Sequence, residues 1–320
     1  MTQPATAAGG SRAVPTLNVA SAPCSFGVDE VLVEDAWMPT PEEMLDWMAE
    51  LDYVGTELGP PGFLGQGPEV HERLTSRGLQ LVGSFLPQRF SRPEHAEEDR
   101  AWLRRSLRLL AEATPEGSRP FAVLSDGVDE PIRRRFSGRI AQHPEALLPS
   151  DRFEALISNL HRAAETAREA GFEPVIHPDA GTYIETADDI ARVLDRVDPS
   201  LVGLCLDTGH FRYGGADPAT SIRAYASVIR HVHVKDTRMA VIDEVTAEGG
   251  GLEEALKRGV FTALGTGDAD IPAAIEALRE VGYAGWLVVE QDQFLKESDT
   301  KASLVEGQRR NREYLRELGV

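Results

Sequence analysis

Short apolar runs alternate with amphipathic helical patterns from Leu17 to the C-terminus, and this rhythm leaves few folds open. Eight runs read as strands: Leu17–Ala20, Tyr53–Leu58, Leu79–Phe85, Phe121–Leu124, Glu173–His177, Leu201–Asp207, Arg230–Lys235 and Trp286–Glu290. The helical stretches carry their own punctuation. Thr40, Pro41 and Glu43 form a helix start, and Met44, Leu45, Met48 and Leu51 then recur at helical spacing. Gly171 stops the helix that begins near Asp151, Thr186 caps the next one, and a final helix runs from about Ser303 to Leu318. Strands separated by helices pair in parallel, because a parallel neighbour needs a crossover. Eight such units in a chain of 320 residues predict an α/β fold, a closed (β/α)8 barrel forming a single domain over residues 16–320. An open doubly wound sheet competes, but no Gly-x-Gly-x-x-Gly stands at a strand-to-helix turn. The connection from Thr237 to Asp270 is too long for a plain barrel loop and is a candidate lid. Residues 1–15 are small and polar and read as a disordered tail without the apolar stretch of a signal peptide.

The formal net charge of -19 works against nucleic acid and anionic membrane partners, since both are bound through Lys and Arg. No apolar run approaches the ~18 residues of a membrane span. Cys24 and Cys205 are the chain's only cysteines, too few for a disulfide framework, so a cytoplasmic location is expected. A homo-oligomer is compatible with the fold by analogy alone.

Barrels carry their chemistry at the C-terminal ends of the strands. Those ends offer Glu57 on strand two, His177 and Asp179 on strand five, and Asp207 with His210 on strand six. Strand seven offers His233, Lys235 and Asp236, and strand eight Glu290 and Asp292. His177, Asp207, His233 and Glu290 come from four successive tips and can surround one divalent ion. Mixed imidazole and carboxylate ligation suits Mn2+, Fe2+, Co2+ or Zn2+ better than Ca2+ or Mg2+; Mn2+ is the first expectation, with Co2+, Fe2+, Zn2+ or Mg2+ as alternatives. Such an ion can polarise a ketone and stabilise an enediolate, which serves isomerisation, epimerisation and dehydration alike. Plainer readings stand beside these. His231 and His233 share one strand face, and His233, nearer the tip, is the ligand while His231 is a core histidine. Asp207 could instead cap the next helix, and His177 before Pro178 could belong to a loop. His210 could orient Asp207 or contact substrate. Glu57 reads equally as a structural ion pair and as a substrate contact. No Gly-x-Ser-x-Gly or Cys-x-x-Cys supports nucleophilic hydrolysis or thiol redox chemistry.

Five segments, taken in order, carry a family resemblance: Glu57-Leu-Gly-Pro-Pro-Gly-Phe-Leu64, His177-Pro-Asp-Ala-Gly-Thr-Tyr-Ile-Glu185, Leu204-Cys-Leu-Asp-Thr-Gly-His210, His231-Val-His-Val-Lys-Asp236 and Val288-Val-Glu-Gln-Asp292. From about Leu17 to the last helix the chain resembles the xylose isomerase-like TIM-barrel superfamily of sugar phosphate isomerases and epimerases, nearest its inosose dehydratase-type branch. The resemblance implies one metal ligand from each of strands five to eight, and Asp207, His233 and Glu290 match that pattern. His177 stands where many relatives have a glutamate, so a symmetric epimerisation between two carboxylates is not implied. Asp179 stands where the branch often has a second histidine.

The activity implied is a metal-dependent lyase of inositol catabolism that dehydrates a keto-cyclitol or keto-sugar through a metal-stabilised enediolate. Glu290, Lys235 and Asp179 are then the expected catalytic groups, and Glu57, His210 and Lys235 the expected substrate contacts. Lys235 acting as a base would need a lowered pKa. The alternatives are a sugar or sugar-phosphate isomerase or epimerase, an eliminase opening a 3-keto-glycoside, and a non-catalytic sugar-binding barrel.

Overall fold

The computed structural model describes residues 17–28, 37–127, 130–293, 295 and 299–320; the segment 1–15, expected as a tail, lies outside them. Eight parallel strands close into a barrel in chain order: β1 Asn18–Ser21, β2 Gly55–Glu57, β3 Gln80–Gln88, β4 Phe121–Asp126, β5 Glu173–Ile176, β6 Gly203–Asp207, β7 Ile229–Val234 and β8 Trp286–Val289. β8 pairs with β1 and closes the ring. The helices form the outer layer, and their starts follow the sequence signals. The Thr40 hydroxyl accepts from the Glu43 amide at 3.2 Å while the Glu43 carboxylate accepts from the Thr40 amide at 3.1 Å. Thr186 and Asp189 repeat that reciprocal cap at 3.2 and 3.1 Å.

Inward and outward side chains alternate along each strand. Ala20, Ala22, Val82 and Val288 fill one part of the barrel interior, and Val123, Val175 and Cys205 another. Two positions further along their strands, Val175, Cys205 and Val288 are succeeded by His177, Asp207 and Glu290. The apolar interior therefore gives way, within one inward step, to a polar mouth. Register aligns the mouth: Asp207 lies opposite His233, and His233 lies opposite Val288.

Strands three and four run further than their apolar stretches, because Pro87 pairs with Ser125 and Gln88 with Asp126 beyond the last buried aliphatics. An apolar run marks the buried part of a strand, whereas the ladder continues for as long as backbone groups find partners.

The connection after β7 is ordered. It holds the helices Met239–Ala247 and Leu252–Lys257, and Asp236–Thr237 pairs antiparallel with Phe261–Thr262. Ile242, Val245, Leu252, Ala255, Val260 and Phe261 pack with Ala180 and Tyr213 into a small core of their own. Asp236 ties the segment back to the barrel. Its carboxylate accepts from Thr237, Gly265 and Gly267 at 2.9 Å and from Ala269 at 3.0 Å. Gly267 is required at this turn, since a Cβ there would meet the Asp236 carboxylate at 2.4 Å. No described helix is long and apolar enough to cross a membrane.

Candidate metal centre

The four expected ligands meet at the barrel mouth. One ligand atom from each of His177, Asp207, His233 and Glu290 lies within 4.8 Å of all the others. His177 Nε2 is 3.6 Å from Asp207 Oδ2, and His233 Nδ1 is 3.8 Å from that oxygen and 3.1 Å from Glu290 Oε2. All four residues are buried.

Asp207 caps the next helix with one oxygen and turns the other toward the candidate site. Its Oδ1 caps the helix Thr208–Tyr213, accepting from Gly209 at 2.7 Å and His210 at 2.9 Å. Its Oδ2 faces the two imidazoles without a hydrogen bond, and His177 Nε2 and His233 Nδ1 likewise make none, their contacts being the ion-pair distances to Asp207 and Glu290. Buried polar atoms left in this state are costly. A divalent cation satisfies all of them, and the donor set of two imidazoles and two carboxylates fits such an ion.

Glu57 sits one layer deeper. Its Oε1 contacts His231 Nε2 at 2.8 Å and His233 Nε2 at 3.1 Å, so the His233 ring is pinned through one nitrogen and turns the other toward the centre. Burial pushes the Glu57 carboxyl up, but His233 and His231 outweigh it and hold it low. His231 is fully buried, stacked on Phe121 with ring centroids 4.3 Å apart. Cys205 also lies near His177 and His233, but burial pushes its thiol up to about 12, which makes it the poorer ligand.

A second row of ionisable groups flanks the ligands. Lys235 Nζ is 3.5 Å from Asp207 Oδ2, 3.1 Å from Glu290 Oε2, 3.0 Å from Asp292 Oδ1 and 3.1 Å from His210 Nε2. His210 Nδ1 in turn is 3.2 Å from Asp179 Oδ1. Burial would lower the Lys235 pKa, yet Asp292, Asp207 and Glu290 together raise it well above the ordinary lysine value. The surrounding carboxylates favour the charged form of Lys235, the opposite of the shift a lysine base needs. Burial and the Lys235 charge lower His210 to about 4, which leaves that ring neutral. Gly209 makes room for this arrangement, because a Cβ there would meet Lys235 Cγ at 2.6 Å.

One neighbour of the site was not singled out from the sequence, and another was named there without a role. Phe261 packs its ring 4.8 Å from that of His210 and lies 4.8 Å below Lys235 Nζ. Nothing in the sequence separates this phenylalanine from an ordinary core residue. Asp292 follows β8 as one more acid at a strand end, and its role becomes visible only through Lys235.

A closed parallel barrel with four ligand-type side chains at successive strand tips defines a class of α/β-barrel proteins with a candidate metal site at the mouth. The chain belongs to the xylose isomerase-like TIM barrel family, whose model matches residues 45–318. It is similar to a protein of Geobacillus kaustophilus (strain HTA426) named inosose dehydratase, 35% identical over 257 residues that cover 79% of this chain and 80% of the relative. A protein of Geobacillus thermodenitrificans (strain NG80-2) with the same name is 37% identical over 252 residues, covering 79% and 82%. Among solved structures, the IOLI protein with a binding zinc atom matches with a TM-score of 0.67 at 14% identity, over 94% of this chain and 98% of its own. At that identity the likeness is one of fold.

Proposed function

We propose that this chain is a metal-dependent carbon–oxygen lyase that removes water from a keto-cyclitol, an inosose dehydratase activity. The observation that carries the reading is the convergence of His177, Asp207, His233 and Glu290, whose donor atoms include an Asp207 oxygen and two imidazole nitrogens that are buried without a hydrogen bond. Relatives named inosose dehydratase, at 35% and 37% identity over most of the chain, support the substrate class.

His177, Asp207, His233 and Glu290 would hold the ion, with Mn2+ the first expectation, and it would supply Lewis acidity to a carbonyl substrate. The chain's own groups do the rest. Asp179 lies outside the ligand set and its side chain is 15% exposed, so its carboxylate takes the proton α to the carbonyl. Lys235 keeps its proton among three carboxylates and donates from Nζ to the departing β-hydroxyl. His210 accepts a hydrogen bond from the Ala180 amide on Nδ1, lies against Lys235 through Nε2 and beside Asp179, and contacts substrate. Glu57 acts through His233 and not on the substrate directly. The segment 239–262 forms a lid over the mouth, and Phe261 is its contact with the site. The acidic chain and the lack of a disulfide framework favour a cytoplasmic setting.

Epimerisation is the second reading, and the relatives named inosose dehydratase favour water loss over it. Incubation of the purified protein with Mn2+ and 2-keto-myo-inositol tests the choice. The expected product is a diketone one water lighter than the substrate. An isomer of unchanged mass would select the epimerase, and no turnover with any of several divalent ions would remove this substrate.

A further inference from the structure

The C-terminal helix Lys301–Glu317 carries two side-chain amides on the face it turns to the barrel, Gln308 and Asn311, and both are wholly buried. Their atoms are used almost completely. Asn311 Oδ1 accepts from the Leu264 amide at 2.9 Å, and Asn311 Nδ2 donates to Gln291 Oε1 at 3.1 Å and to Gln308 Oε1 at 3.3 Å. Gln308 Nε2 donates to the Ser25 carbonyl at 2.8 Å. Ser25 continues the chain of bonds: its hydroxyl donates to the Val289 carbonyl at 3.0 Å and accepts from the Gln291 amide at 2.9 Å. The residue enclosed by Val289 and Gln291 is Glu290, whose own amide donates to Val234 at 3.1 Å.

A helix docking for stability alone would do better with leucines at these two positions, because buried amides contribute little net energy and are costly when any bond is missed. A fully bonded polar network instead fixes one geometry. We propose that Asn311, Gln308 and Gln291 are positioning residues that hold the Glu290 carboxylate in its place at the barrel mouth. The network also reaches Leu264, so the same clamp joins the tip of β8 to the ordered connection that carries Phe261. The inference rests on the reading of Glu290 as a metal ligand.

The test uses the full chain, depleted of metal and titrated with Mn2+ while free ion is followed by electron paramagnetic resonance. Asn311→Leu should weaken binding by about ten- to a hundredfold and alter the bound-ion spectrum, as loss of an outer-shell partner does. Arg310→Ala, on the exposed side of the same helix and paired with Glu306, should bind like the unmodified chain. Asn311→Asp covers the case in which the leucine variant does not fold: it keeps an acceptor for Leu264 and loses the donor to Gln291. A purely structural role would lower the melting temperature and leave the affinity of the folded protein unchanged, and that result would overturn the inference. If the unmodified chain binds no Mn2+, the metal reading of Glu290 falls first and takes this one with it.

Discussion

Single residues divide the labour at the mouth, and their roles depend on which atom faces which neighbour. Glu57 illustrates this. It ends a short strand, and its Oε1 reaches across the barrel to imidazoles 174 and 176 positions away. The sequence offered an acid at a strand end but not the partner, because only barrel closure brings β2 and β7 together. Glu57→Gln removes the charge that orients His233 and should weaken Mn2+ by about ten- to a hundredfold in a calorimetric titration; equal affinity would leave Glu57 as packing. Asp126 is a separate case. Burial, with Glu130 nearby, pushes its carboxyl up to about 7 from 3.8 despite a hydrogen bond from the Ser91 amide. A raised carboxyl favours the folded state at low pH, and that contribution is lost progressively as pH rises from the unfolded value through about 7. Asp126→Asn keeps an acceptor for Ser91. Its melting temperature should match the unmodified chain near about pH 4 and exceed it by several degrees near about pH 8. An equal gap at both pH values would contradict the buried, raised carboxyl.

Elements show what was legible and what was not. Helix starts at Thr40 and Thr186 could be read directly, because a cap is a local bond between residues three apart. Strand cores could be read because burial writes itself as apolar runs. Strand ends could not, and β3 extends to Gln88 through pairing that no side chain announces. The connection after β7 was legible only by its length. Its two helices, its own small core and its tether to Asp236 required coordinates. That tether predicts a local effect. Asp236→Asn turns an amide group toward backbone donors, so the amides of Gly265, Gly267 and Ala269 should exchange with solvent markedly faster while β4 and β5 keep their protection. Unchanged protection by hydrogen exchange would mean that packing, not Asp236, holds the segment.

At the scale of the whole molecule, the eightfold rhythm dictated the barrel, and the barrel dictated that ligands spread over some hundred residues of sequence should meet. His177, Asp207, His233 and Glu290 could be chosen in advance because each closes an apolar run with a side chain able to bind metal. Lys235, His210, Asp179 and Asp292 were also legible as strand-tip groups, but that Lys235 is a charged group with Asp292 as its partner was not, since that depends on packing depth. An ion that binds only the folded state stabilises it by about 2.7 kcal/mol at a hundred times its dissociation constant. Chelation should therefore lower the melting temperature, and unfolding scans with and without chelator would detect it. The most direct test of the account follows water loss from 2-keto-myo-inositol while metal-depleted protein is titrated with Mn2+. The account predicts that turnover is absent without the ion, rises with it, and saturates at one Mn2+ per chain, whereas undiminished turnover by metal-free protein would contradict it.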